Sequence, residues 1–186
     1  MRKIIKAAEQ FALEEIKRHG LPSLVNFTTA NEKGNELAKK FNVNADIVAI
    51  GTRLMDIKLG EAQKTGGDHI ELGVAATKTF LKRYAIDPKN ILKIVNCVEA
   101  HHRTVHWICK EAELVANADC YRFLLPRNWL LFLHSLGTRG MDFQKSLDYG
   151  ESKVDEKWKI LSLPYCKKEL TTDYKLIKEI IKKARQ

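Results

Sequence analysis

From Ile47 to Met55 the sequence reads IVAIGTRLM and leaves almost no polar face. A surface helix needs only one apolar stripe, so a segment apolar nearly all round must be enclosed by other elements. This predicts the central helix of a bundle. Asn44 is a suitable N-cap, and Asp46 in the first turn suits the positive end of the helix dipole. The helix is expected to run from near Asn44 to about Leu59. Asp56 falls late in this pattern, where burial follows, and a buried carboxylate requires a metal, a cation or several donors beside it.

The flanking segments also carry helical spacing. Ile4, Ile5, Ala8, Phe11, Ala12 and Ile16 form one face of a first helix, with Gly20 as C-cap and Pro22 barring its continuation. Ala30, Gly34, Leu37, Ala38 and Phe41 mark a second, and steps of four carry its face back to Asn26. Gly34 is costly inside a helix, which predicts close packing of a neighbour there. After a polar loop, GGDHIE opens another helix through an Asp68–Glu71 capping box, with His69 as its first residue. The positive helix end disfavours imidazolium there and favours the neutral ring that binds metals. Asp87-Pro88 starts a fifth helix, whose face of Ile91, Ile94, Val95 and Val98 leads to His101 and His102. A sixth begins near Glu111 and carries Ala112, Val115 and Ala116 to Asp119. Beyond Pro126, NWLLFLHSL is a short helix ended by GTRG, and helices are expected over about 141–149, 152–161 and 170–184. No segment alternates as a strand would, and no repeat or flexible linker interrupts the chain.

At 186 residues, 45% of them hydrophobic and 30% charged, the chain can bury a core and suits one domain. Four cysteines without a CxxC pair imply reduced thiols and a cytoplasmic setting. Acids at Glu9, Glu14 and Glu15 argue against a signal peptide, and no apolar run is long enough to span a membrane. The net charge of +9 suits either an anionic partner or a lysine-rich surface. The basic C-terminal helix is read as a solvated face or a dimer contact; without aromatic interleaving, a nucleic-acid partner is not expected.

VNADIVAIGTRLMDI, DHIELG, EAHHR and EAELVANAD follow one another in order, and together they resemble the HD domain superfamily of metal-dependent phosphohydrolases. The resemblance covers about residues 22–125. The expected architecture is an all-α, HD-domain-like bundle in a single domain over 1–186, with an N-terminal helix and a C-terminal helical extension over about 126–186. In the family, a first metal is held by a His, an adjacent His-Asp pair and a distant Asp. Matched to this chain, those positions are Asn26, Met55, Asp56 and Asp119, so both imidazoles are replaced. The additional histidines of binuclear members match His69, His101 and His102.

The resemblance implies a metal set drawn from Asp56, His69, His101, His102, Asp119 and Asn26. It would hold Zn²⁺, Mn²⁺ or Fe²⁺, or more loosely Mg²⁺. Asp56 and Asp119 are the expected catalytic residues, orienting a metal-bound water, and Arg53 and Arg103 the expected phosphate contacts. Arg53, three residues before Asp56, has a second reading: a guanidinium paired with Asp56 and Asp119 in place of the lost ion. Purely structural roles stay open for the remaining positions. His101 and His102 also read as core histidines satisfied by acids, His69 as a helix start, Asp119 as a buried structural acid, and Met55 as core packing. Two functions follow. One is a phosphohydrolase acting on a nucleotide or other phosphate ester through a reduced metal site. The second is a catalytically inactive HD-fold protein that binds a phosphorylated ligand or a protein partner, and in either case a divalent metal is possible but not required. A homo-oligomer is compatible with both.

Overall fold

The structure is a computed structural model that describes all residues, 1–186. It contains ten α-helices and no strand: α1 (Arg2–His19), α2 (Leu24–Lys40), α3 (Ala45–Leu54), α4 (Leu59–Thr65), α5 (His69–Leu81), α6 (Pro88–Glu99), α7 (Lys110–Leu124), α8 (Pro126–Thr138), α9 (Phe143–Ile160) and α10 (Pro164–Ala184). None is long and apolar enough to cross a membrane. The chain divides into two compact units within α7, Met1–Ala118 and Asp119–Gln186. α1 belongs to the first unit, and the second begins at Asp119.

In the first unit α3 is the centre, packed against α1, α2 and α6, with Ile47, Val48, Ile50 and Leu54 fully buried. Asn44 caps it as expected, its side chain accepting from the N–H groups of Asp46 and Ile47. Gly34 explains how α2 lies so close: a Cβ there would fall 2.6 Å from Thr52 Cγ2 and 3.3 Å from Val48 Cγ1. Arg53 draws α1 and α2 onto the same helix. Its guanidinium donates to Glu9 Oε2 at 3.1 and 3.2 Å, to Asn31 Oδ1 at 3.5 Å and to the Ala49 carbonyl at 2.9 Å.

α3 does not reach Leu59. It stops at Leu54, and the next bonds close after three residues rather than four: Ile57 N–H to Leu54 O at 3.1 Å and Leu59 N–H to Asp56 O at 3.0 Å. This tightened turn ends the α-helical register, and the two side chains find different partners: Arg53 bonds Glu9 and Asn31, while Asp56 lies beside His69 and His101. Where a loop was expected, α4 follows. Lys58 at its start ties it to α1, donating to Glu15 at 2.9 Å and Glu61 at 2.7 Å. Gly66 ends it in the left-handed conformation, φ 75.

In the second unit α8, α9 and α10 pack on one another around Trp129, Leu136, Leu147, Val154, Leu170 and Ile177. The two short helices expected over 141–161 are one. Gly150 does not interrupt α9 but makes room for α8, since a Cβ there would lie 2.5 Å from Leu133 Cδ2. Trp158 stacks on Tyr174 with ring centroids 4.3 Å apart, joining α9 to α10. α10 begins at Pro164, six residues ahead of expectation, because proline is suited to a first helical turn.

Candidate metal centre

Three chain segments bring Asp56, His69, His101 and His102 together, each with a ligand atom within 4.8 Å of the others. Asp56 lies in the turn after α3 and is buried. His69 opens α5, held there by Asp68, whose carboxylate accepts from Ile70 N–H at 2.7 Å and Glu71 N–H at 3.4 Å. His101 and His102 lie in the turn just beyond α6, which ends at Glu99, rather than on the helix itself.

That turn is fastened by Asn96, a buried residue that periodicity alone assigns no role. Its amide donates to the His106 carbonyl at 3.1 Å and accepts from Ile108 N–H at 3.0 Å. Trp107 adds a bond from its indole N–H to the Ala100 carbonyl at 3.0 Å. The partners of both lie in loop sequence without periodicity, and only the buried position of Asn96 on an apolar helix face offered a signal.

The imidazoles meet edge to face, His101 to His102 at 4.3 Å and His69 to His102 at 5.2 Å between centroids. Asp56 Oδ1 lies 3.5 Å from His101 Nε2 and 3.8 Å from His69 Nε2. His101 fixes its own tautomer: Nδ1 is 2.6 Å from the Val98 carbonyl, which can only accept, so Nδ1 carries the proton. Its Nε2 lone pair is left fully buried with no hydrogen bond, facing a carboxylate oxygen.

No known family model matches the chain. Ribonuclease Y of Finegoldia magna is 37% identical over 90 residues, which are 48% of this chain but only 16% of that protein. Among solved structures, a protein described as a predicted HD superfamily hydrolase from an uncultured Thermotogales bacterium aligns over 98% of this chain and 90% of its own. The TM-score is 0.63 and the identity 16%. The chain has the HD-superfamily fold.

A divalent ion is what HD hydrolases of this fold suggest, and the four groups fit one. A neutral ring nitrogen and a carboxylate oxygen repel when they face each other across 3.5 Å in a buried site. An imidazolium would close to about 2.8 Å in a charge-assisted bond. Two ligands each about 2.1 Å from a shared tetrahedral ion sit roughly 3.4 Å apart. The 3.5 Å between His101 Nε2 and Asp56 Oδ1 is near the last case, and His69 Nε2 stands somewhat farther from the same oxygen, at 3.8 Å. The Nδ1–H bond to Val98 is also the kind of outer partner that orients metal-binding imidazoles. Three imidazoles and one carboxylate suit Zn²⁺, Mn²⁺ or Fe²⁺ better than Mg²⁺, which prefers oxygen.

The first-metal site expected of the HD fold does not fit an ion. Met55 is buried in the core and offers only a thioether. Asn26 lies buried in the first turn of α2, its backbone N–H donating to Ser23 Oγ at 3.3 Å. Asp119 belongs to the second unit, where protein cations replace the ion expected of it. Its Oδ1 is 2.7 Å from Arg122 Nη1 and its Oδ2 2.7 Å from Lys157 Nζ, all three residues being buried. Burial would lower the Lys157 pKa, yet the Asp119 charge and hydrogen bond, with the nearby Cys120 and Glu156, leave it raised.

Arg53 is likewise occupied with Glu9 and does not stand in for a metal beside Asp56. Arg103, next after His102, is exposed, adopts φ 57 and places its guanidinium 5.2 Å over the Trp107 ring.

Proposed function

We propose that this protein is a metal-dependent phosphohydrolase that works with a single divalent ion held by Asp56, His69, His101 and His102. The observation that carries the reading is the buried Nε2 of His101, without a hydrogen bond and aimed at Asp56. Such an arrangement is costly unless a cation joins the two groups. An ion bound there would supply a Lewis acid for a phosphoryl oxygen and a water of lowered pKa.

The chain's own groups have separable tasks in this reading. Val98 and the Asn96-fastened turn hold the His101 ring in one tautomer and orientation. Asp56 supplies negative charge from a buried position, and His69 presents its ring from a capped helix start. Arg103 stands at the exposed end of the same turn, where a guanidinium suits a phosphate. A nucleotide or other phosphate ester is the substrate class. The likenesses to a protein named ribonuclease and to an HD superfamily hydrolase support hydrolysis as the reaction type.

The test is a screen of phosphomonoesters and phosphodiesters with the metal-loaded protein. Hydrolysis that disappears in Asp56→Ala and His102→Ala supports the enzyme. One observation favours an inactive, ligand-binding HD-fold protein instead: Asp119, the second acid expected to orient water, is engaged by Arg122 and Lys157. Inactivity of the fully loaded protein on every phosphate ester would select that reading.

A further inference from the structure

A cleft of about 760 Å³ lies in the first unit between α1 and α5, and none of the four candidate metal ligands lines it. The two helices run along it in opposite directions. At one end Lys58 bonds Glu15 of α1 at 2.9 Å, and α5 begins beside Ile57, since a Cβ on Gly73 would fall 3.8 Å from Ile57 Cγ2. Farther along, Phe11 of α1 stacks on Phe80 of α5 with ring centroids 5.7 Å apart. Arg83 and Tyr84, in the turn after α5, close the other end. Ala7 on α1 and Ala75 and Ala76 on α5 carry nothing beyond Cβ, which leaves the space between the helices open. The lining stretch of α5 from Leu72 to Phe80 rises about 12 Å, so that space is elongated along the helices.

The charged groups of the cleft are unequally satisfied. Lys58 is neutralised by Glu15 and Glu61 at 2.9 and 2.7 Å, and Glu14 accepts from the Gln10 amide at 2.9 Å. Arg83 has no acidic partner. Its Nε donates to the Phe80 carbonyl at 3.3 Å, and its guanidinium lies 4.8 Å over the Phe80 ring. Tyr84 rests its ring on Phe80 at 5.3 Å and leaves its hydroxyl free. Apolar walls with a few placed donors at one end are what a small-molecule site requires.

We propose that this cleft binds a medium-chain fatty acid, its carboxylate on Arg83 and Tyr84 and its alkyl chain laid along Ala76, Ala75 and Leu72 toward Lys58. One uncompensated guanidinium matches one carboxylate, whose two oxygens accept its paired N–H donors. A phosphate dianion would bring a second charge with no free cation to meet it, and with Glu14 in the facing wall. A tail suits the walls better than a flat ring does. Phe80 is 2% exposed between Phe11 and Arg83 and has no open face for stacking, whereas the alanines and Leu72 offer aliphatic surface. Removing methylenes from water supplies the driving force.

The experiment titrates decanoate, kept below its micelle-forming concentration, into the full chain and follows the heat by calorimetry. Saturable one-to-one binding is expected, weakening by up to about fourfold for each methylene removed in octanoate and hexanoate. Decanol, without the charge, should bind about tenfold more weakly, and Arg83→Ala should weaken decanoate by about the same factor. Arg83 is exposed, so its loss should leave the thermal unfolding midpoint unchanged. Ala76→Trp fills the cleft and should abolish binding while circular dichroism stays helical; if that variant does not fold, Ala7→Leu makes the same test from the facing wall. Absence of saturable binding, equal affinity for decanol and decanoate, or undiminished binding to Arg83→Ala would overturn the proposal. So would decyl phosphate binding more than tenfold tighter than decanoate, or a dimer of the chain that excludes decanoate and gives the cleft to a second copy.

Discussion

Replacing Lys157 by methionine should destabilise the second unit by about 3 kcal/mol. The ammonium is fully buried and lies 2.7 Å from Asp119 Oδ2, and methionine fills much of the same volume without charge. Removing one partner of a buried ion pair costs roughly 3–5 kcal/mol because the remaining charge is left in a medium that solvates it poorly. Arg122 stays 2.7 Å from the second carboxylate oxygen, which places the cost at the low end of that range. The raised Lys157 pKa keeps the group charged, and its contribution intact, below its ordinary value of 10.5. That contribution is lost only as pH rises through the folded value, so neutral pH is the right condition. Urea unfolding read by Trp129 and Trp158, both in this unit, should show a midpoint lower by about 1.5 M for a slope near 2 kcal/mol/M. Lys157→Met combined with Asp119→Asn should cost less than the two single changes added, by about 2 kcal/mol. A single-mutant cost under about 1 kcal/mol, or strict additivity, would refute the claim that Asp119 is satisfied by built-in cations.

Arg53→Ala should lower stability by about 1 kcal/mol through loss of its bonds to Glu9 and the Ala49 carbonyl, as read by chemical denaturation, while leaving metal content unchanged. Altered metal content would restore Arg53 to the site. Glu151, held below its ordinary carboxylate value by Lys178 and then Arg185 against the effect of burial, contributes stability that is present above about pH 4.5 and lost as pH falls through its folded value. Glu151→Gln should flatten the fall of the unfolding midpoint in that acid range; an unchanged profile would show that the pair contributes nothing.

The sequence disclosed whatever rests on neighbours in the chain. Asn44, Asp68 and Asp87 each cap the helix they were assigned, because capping is decided within three residues. The packing role of Gly34 followed from the cost of glycine in a helix interior. Convergence of Asp56 with His69, His101 and His102 came from the family resemblance and not from spacing, since three segments must fold to bring them together. The end of α3 at Leu54 was hidden because apolar spacing continues through Ile57 while the backbone changes its bonding. Gly150 resembled a break because its partner, Leu133, sits on another helix. Asp119 and Arg122 are close in sequence, but Lys157 comes from a helix whose start and length were misjudged. Long-range pairing decided the fate of that acid, and periodicity carries no information about it.

The most direct test of the account is the divalent metal content of the purified full chain, reloaded in turn with Zn²⁺, Mn²⁺ and Fe²⁺ and measured by elemental mass spectrometry. Binding coupled to four preformed ligands predicts about one ion per chain, lost on Asp56→Ala or His101→Ala and kept in Asp119→Asn. No stoichiometric ion after reloading, or an ion that survives loss of Asp56 and departs with Asp119, would contradict it.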